Sequence, residues 1–158
     1  EGAQLGASVS IKERNKIAEL VDASVKAGGN LKIGGQIPQG DGAFYPATVI
    51  EVASDNPILA HEVFGPVAPV VTFDSDEEAI ALANATEYGL ISYIYSQDLK
   101  RAIKVAESIE SGMVAINRGV ISDPAAPFGG VKQSGLGREG GFAGIHEFLE
   151  TKYIGVEI

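Results

Sequence analysis

The chain has 158 residues, of which 45% are hydrophobic and 21% are charged, and this is enough for one ordinary domain with a buried core. Its formal net charge of −9 argues against nucleic acid and anionic membranes as partners, because no basic stripe is available to neutralise phosphates. The sequence contains no cysteine, which excludes disulfides, thiolate zinc sites and a thiol nucleophile within these residues.

Two further patterns bear on location. No apolar run approaches the roughly 20 residues that cross a bilayer. The first residues carry neither a basic segment nor the apolar core of a signal peptide. We therefore expect a soluble, cytoplasmic protein without a membrane partner.

Helical and strand patterns alternate along the chain. The first helix is announced by a capping box, with Ser10 at the cap and Glu13 three residues later. Hydrophobic periodicity and turn residues predict helices at residues 11–27, 58–64, 77–85, 98–111 and 142–149. They predict strands at residues 31–33, 45–52, 67–73, 90–95, 113–116 and 152–156, of which 67–73 reads as buried on both faces. The alternation predicts a layered α/β fold with a mostly parallel sheet and flanking helices.

A glycine-rich stretch occupies residues 127–141. Such a density of glycine indicates a backbone that turns tightly or closely approaches another group, with a flexible loop as the alternative. Gly135, Gly137 and Gly140 spell G-x-G-x-x-G, the dinucleotide-binding fingerprint. That fingerprint requires a preceding buried strand and a carboxylate about 20 residues later within a βαβ unit. The preceding residues are polar and the sequence stops at Ile158, so we reject this interpretation.

Glu62 is the first candidate functional residue. It follows His61, but the zinc motif H-E-x-x-H fails because Gly65 stands where the second histidine is needed. On its own, Glu62 is most simply a surface carboxylate. A carboxylate can also accept hydrogen bonds from two vicinal hydroxyls, and an aromatic ring such as Phe64 can pack near a planar heterocycle.

Three motifs occur in a characteristic order. They are E-x-F-G-P at residues 62–66, a glycine-rich signature at 128–135 with Gly-Arg-Glu at 137–139, and the closing segment 150–153. Together they resemble the C-terminal third of the aldehyde dehydrogenase superfamily. The run at 119–122 is similar to the succinate-semialdehyde dehydrogenases within that superfamily.

The resemblance implies an NAD or NADP cofactor and an aldehyde substrate. By the resemblance, Glu62 holds the nicotinamide ribose and Phe64 lies close to the nicotinamide. Phe128 lines the aldehyde tunnel, and the hydroxyl of Ser122 helps to bind a substrate carboxylate. For Ser122, a loop serine without a role remains the alternative.

Other polar residues receive no sharp role. Asn117 can be a strand-end turn residue. Lys132 and Arg138 can pair with an acid or hold the glycine-rich stretch, and a solvated or structural ion-pair role is the better interpretation. His146 is expected to serve packing or the surface, and no metal site is predicted.

The family's nucleophilic cysteine and its general-base glutamate precede the matched region. We therefore expect no catalytic residue in this chain and no activity from the chain alone. The parent protein is expected to oxidise an aldehyde, succinate semialdehyde by the resemblance, to its carboxylic acid.

The resemblance also implies three parts. Residues 1–112 correspond to the later part of the catalytic domain, residues 113–144 to an active-site segment that crosses back toward the cofactor domain, and residues 145–158 to an oligomerisation strand. A homo-oligomer formed through this C-terminal strand is expected. The open alternatives are a nucleotide-binding module and a truncated, non-catalytic assembly protein. The choice between NAD and NADP and the identity of the aldehyde remain open.

Overall fold

Helices and short strands follow one another in a computed structural model that describes residues 4–158. The helices are α1 (Ile11–Lys26), α2 (Asp76–Asn84) and α3 (Leu99–Ser108), with short 3₁₀ helices at Pro57–Ala60 and Gly144–Phe148. The strands are β1 (Asn30–Ile33), β2 (Thr48–Glu51), β3 (Val67–Val70), β4 (Tyr88–Gly89), β5 (Ile91–Ile94), β6 (Met113–Ile116) and β7 (Val131–Lys132). These residues divide into two compact units, one that ends at Phe73 and one that spans Asp74–Ile158.

The first unit packs α1 against a three-stranded sheet of order β1-β2-β3. Ile17 and Val21 project from α1 into a core that includes Ile50 of the central strand and Ile58 of the 3₁₀ helix. All four are at most 3% exposed. The helical spacing of apolar residues thus indicates which face of α1 is buried. Burial of each such side chain stabilises the folded state by about 1.5–3 kcal/mol.

The helix starts follow the predicted chemistry. The Ser10 hydroxyl accepts a hydrogen bond from the Glu13 amide at 3.2 Å. The reciprocal half of the capping box is replaced by an ion pair between Glu13 and Lys16 at 2.8 Å. Asp98 caps α3 by accepting from the Arg101 amide at 3.0 Å, as expected for an acidic residue at a helix N-terminus.

The second unit contains the parallel pair β5–β6 and the antiparallel pair β4–β7. The small side chain of Ala102 is fully buried, which lets α3 pack on β6. The guanidinium of Arg101 joins α3 to α2 through Asp76, and this hydrogen bond holds the pKa of the Asp76 carboxyl below its usual value. The strand β7 belongs to the glycine-rich stretch, so its pairing fixes that stretch to the rest of the unit.

The predicted α/β class is confirmed, although two of the four strand pairs among residues 4–158 are parallel and two are antiparallel. The prediction that residues 67–73 are buried on both faces is wrong. The strand is shorter, β3 lies at the edge of its sheet, and its burial alternates, with Val70 43% exposed. An apolar run does not reveal whether a strand has a neighbour on each side.

Two further predictions fare differently. The helix expected at 58–64 is confined to Pro57–Ala60, because the backbone becomes extended at His61. Residues 152–156 form no strand with any part of the described chain, since a strand requires a partner edge. None of the helices in residues 4–158 is long and apolar enough to cross a membrane.

Candidate functional site

Glu62 and Phe64 lie on one loop of the first unit, residues 61–66, which we call the Glu62 loop. The side chain of Val63 packs against the core, whereas Glu62 and Phe64 on either side of it are exposed. Phe64 is 84% exposed, which is unusual for a large aromatic residue. The alternation places the carboxylate and the ring together on the outward face of the loop.

Gly65 determines how closely this loop approaches α1. A Cβ atom at Gly65 would overlap Cδ1 of the core residue Ile17, so a side chain at this position would require Ile17 or the loop to shift. The next residue joins the loop to the sheet, because the Pro66 carbonyl oxygen accepts a hydrogen bond from the Thr48 amide at 2.8 Å. The G-P half of the motif is therefore explained by packing.

The carboxylate of Glu62 makes no hydrogen bond or ion pair with other described residues. Both of its oxygens are consequently available to accept hydrogen bonds from a pair of ligand hydroxyls. The uncovered ring of Phe64 offers an apolar surface beside them. This pair suits a ribose joined to a planar heterocycle.

Phe128 lines a shallow hollow of about 200 Å³ in the second unit. The residues that form the hollow are Met113, Val114, Ile121, Asp123, Ala126, Pro127 and Phe128. Ser122 lies between two of them and is itself exposed. The structure thus places Phe128 in the wall of this hollow, whereas Ser122 does not line it and only adjoins two lining residues in sequence.

Asp123 is a wall residue that sequence reasoning missed. Its carboxylate accepts a hydrogen bond from the Ala125 amide at 2.9 Å, and its carbonyl oxygen accepts one from the Ala126 amide at 3.0 Å. This is the local turn that aspartate favours. The signal was available as Asp-Pro after Ser122, the turn chemistry that shapes the rim of the hollow.

The glycine-rich stretch folds back so that its two ends pair. Phe128 and Glu139 exchange backbone hydrogen bonds of 2.7 and 2.8 Å. The Arg138 guanidinium donates to carbonyl oxygens inside the turn, at 2.6 Å to Gly130 and 2.9 Å to Gly137. Arg138 therefore holds the glycine-rich stretch, and the preferred prediction of a solvated or ion-paired side chain is wrong for it, because its guanidinium binds backbone carbonyl oxygens of the described chain.

Close contact between backbone segments explains why residues 112 and 129 are glycine. A Cβ atom at Gly112 would lie 2.0 Å from the Gly129 carbonyl oxygen, and one at Gly129 would lie 2.2 Å from the Gly137 carbonyl oxygen. Three segments of backbone are therefore stacked where no side chain fits. The prediction of close approach is confirmed against that of a flexible loop.

Lys132 and Asn117 are also structural. The Lys132 ammonium pairs with Glu110 at 2.6 Å and donates to the Asn84 carbonyl oxygen at 2.9 Å, at the end of α2. The side-chain amide of Asn117 bonds both the N–H and the carbonyl oxygen of Ser96, at 2.9 and 2.8 Å, and so extends the β5–β6 pairing by one residue.

A family model described as "Aldehyde dehydrogenase family" matches residues 1–154 of the chain. A succinate-semialdehyde dehydrogenase of Paenarthrobacter nicotinovorans is 53% identical over 98% of the chain and 34% of its own length. A glutarate-semialdehyde dehydrogenase of Pseudomonas putida is 41% identical over the whole chain and 33% of its own length.

A solved structure shows the same fold. The crystal structure of PnpE in complex with nicotinamide adenine dinucleotide superposes with a TM-score of 0.89 at 41% identity, covering 94% of the chain and 31% of PnpE. The chain therefore spans about a third of the length of the proteins it matches.

Proposed function

Because the chain belongs to the aldehyde dehydrogenase family, we propose that the whole protein oxidises an aldehyde to its carboxylic acid with NAD or NADP as the acceptor. The observation that carries this proposal is the outward pair of an unengaged carboxylate and an exposed ring on the Glu62 loop.

In this proposal, Glu62 accepts hydrogen bonds from the two hydroxyls of the nicotinamide ribose. Phe64 lies against the nicotinamide and limits its tilt. When bound, the cofactor supplies a hydride acceptor at the aldehyde carbon. Since the loop fixes only one end of the cofactor, the residues that choose between NAD and NADP lie outside this chain.

We propose succinate semialdehyde as the substrate. Phe128 presents an apolar wall to the aldehyde chain, and Ser122 offers a hydroxyl that can donate to a carboxylate tail. The name of the Paenarthrobacter relative supports this choice. The Pseudomonas relative makes glutarate semialdehyde, one methylene longer, the competing substrate, and a methylene is worth only about 1–3 kcal/mol of discrimination.

The reaction requires a nucleophile that this chain lacks, because it contains no cysteine. The family relationship supplies one upstream, together with a general base. Residues 113–144 then bring the Phe128 wall toward the cofactor domain, and residues 1–112 contribute the Glu62 loop. The chain by itself is consequently expected to be inactive.

We also propose a homo-oligomer that pairs through residues 145–158. Tyr153, Ile154 and Val156 are at least 75% exposed and pair with no strand of the described chain. Such a row of apolar residues gains stability by joining a sheet edge of another subunit. We also propose a cytoplasmic location, and fractionation of the source cells tests it.

Steady-state kinetics of the full-length protein test the proposed function. We expect aldehyde-dependent reduction of the nicotinamide, with a higher kcat/KM for succinate semialdehyde than for glutarate semialdehyde or an unbranched aliphatic aldehyde. The isolated chain serves as the inactive control. If the full-length protein binds NAD but reduces none with any of these aldehydes, a nucleotide-binding or assembly role replaces catalysis.

A further inference from the structure

A buried polar pair joins α1 to the 3₁₀ helix that precedes the Glu62 loop. Ser24 is fully buried and Asn56 is 5% exposed. The Ser24 hydroxyl donates to Oδ1 of Asn56 at 2.8 Å, and Nδ2 of Asn56 donates to the Ser24 carbonyl oxygen at 3.2 Å. The two side chains thus hold each other across 32 positions of sequence.

The same oxygen of Asn56 also starts the 3₁₀ helix. It accepts a hydrogen bond from the Ile58 amide at 3.2 Å, and Ile58 is 1% exposed in the core. The helix ends at Ala60, one residue before the Glu62 loop begins. Any shift of Asn56 is therefore carried to the loop through four residues of fixed backbone.

The loop has a second anchor on the same helix. Gly65 rests on Ile17, as described above, and Ile17 precedes Ser24 by seven residues. Two helical turns separate these positions, so they lie on one face of α1 about 10 Å apart. The Glu62 loop is therefore held at one end by the Ser24–Asn56 pair and at the other by the contact between Gly65 and Ile17. The side chains of Glu62 and Phe64 form no hydrogen bond to other described residues.

We propose that Ser24 and Asn56 are positioning residues that hold the Glu62 loop in the geometry that binds the nicotinamide cofactor. This inference rests on the proposed function of that loop. Two buried polar groups that satisfy each other fix one arrangement, because sliding by one residue would leave both unpaired. Apolar contacts alone would tolerate such a slide.

The test uses the full-length protein and titration calorimetry with NAD. The variants are Ser24→Ala, which leaves the Asn56 cap in place, and Asn56→Ala. Ile50→Val is the control, since it loosens the same core without removing a hydrogen bond of the pair. We expect both variants to weaken NAD binding about fivefold or more, whereas the KM for the aldehyde stays within about twofold.

A second measurement separates positioning from general destabilisation. In a protein that already carries Glu62→Gln and Phe64→Ala, we expect Asn56→Ala to weaken NAD binding no further. A persisting loss there would overturn the proposal, as would NAD binding by Ser24→Ala and Asn56→Ala no weaker than that of Ile50→Val at an equal loss of thermal midpoint. If Glu62→Gln with Phe64→Ala binds NAD like the parent, the site itself is wrong and both proposals fall.

Discussion

The guanidinium of Arg138 donates a hydrogen bond of 2.6 Å to the carbonyl oxygen of Gly130. This bond closes the turn that begins at Phe128, whose backbone is paired with Glu139 next to the same arginine. The wall of the hollow is therefore held by a charged side chain that has no contact with the hollow itself.

We expect Arg138→Ala to lower kcat/KM for the aldehyde about tenfold, because the bonds from a charged donor to the turn are worth about 1.5–3 kcal/mol. Kinetics of the full-length protein measure the effect. Arg14→Ala is the matched control, since Arg14 also donates to a loop carbonyl oxygen, that of Gly42 at 2.8 Å, in the first unit. An equal loss in both variants would argue that arginine removal acts only through stability.

Gly112→Ala is expected to destabilise the protein by about 2 kcal/mol or more. The added methyl group would lie 2.0 Å from a backbone oxygen that cannot move without breaking the stack. Gly119→Ala is the control, because the nearest atom to its added methyl group is 3.6 Å away. Denaturant unfolding compares the two, and equal stability would contradict the stacked arrangement.

Because of Tyr45, the free energy of unfolding is expected to depend on pH in the alkaline range. It is 4% exposed, and its hydroxyl has no hydrogen-bond partner among residues 4–158. Burial, and to a lesser degree the Asp22 carboxylate, raises the pKa of Tyr45 above the usual 10.0. The nearby Thr48 hydroxyl acts in the opposite direction on this pKa and offsets the rise only in part. Its own proton is donated to the Pro46 carbonyl oxygen, and its contact with the Tyr45 hydroxyl lacks hydrogen-bond geometry.

The sign follows from linkage. In the unfolded chain the Tyr45 phenol ionises near pH 10, whereas in the folded chain it keeps its proton to higher pH. The contribution of Tyr45 to the free energy of unfolding is therefore fully present below about pH 10 and is lost as the pH rises through the folded pKa. Tyr45→Phe should flatten the decline of the thermal midpoint above about pH 10 and should cost little at neutral pH, because no hydrogen bond is removed. A large loss at neutral pH would mean that the hydroxyl is bonded after all.

Ser122→Ala is expected to reduce kcat/KM for succinate semialdehyde about tenfold or more, the value of one hydrogen bond to a charged group. The kcat/KM for an unbranched aliphatic aldehyde should stay within about twofold, since it has no carboxylate to bind. Ser122→Thr keeps the hydroxyl and should retain most of the preference. Equal losses of kcat/KM for both substrates would mean that Ser122 affects the shape of the rim and does not recognise the substrate carboxylate.

Much of the fold could be predicted from local patterns in the sequence. The cap at Ser10 could be predicted because a side-chain oxygen followed by a helical period has one favoured use, whereas for α3 the sequence left both Gln97 and Asp98 open. The motif around Glu62 identified the candidate residues but not the loop, because residues 58–64 were predicted to be helical. The alternation of exposure around Val63 explains why the carboxylate faces outward.

Contacts between residues that are far apart in the sequence could not be predicted. The Ser24–Asn56 pair joins positions 32 apart, and no local pattern announces it. The exposure of β3 depends on which strands flank it, which an apolar run does not encode. The predicted helix over 58–64 was too long because the backbone becomes extended at His61, whereas Asn56 and Pro57 determine only where the 3₁₀ helix begins.

The central claim is that this chain supplies the cofactor loop and the aldehyde wall of an enzyme whose nucleophile lies elsewhere in the protein. The most direct measurement is the mass and thiol reactivity of the native protein from its source. The account predicts a mass about three times that of this chain, with one thiol whose alkylation abolishes aldehyde oxidation and is slowed by the aldehyde. A native protein of this chain's own mass, without a thiol, would contradict it.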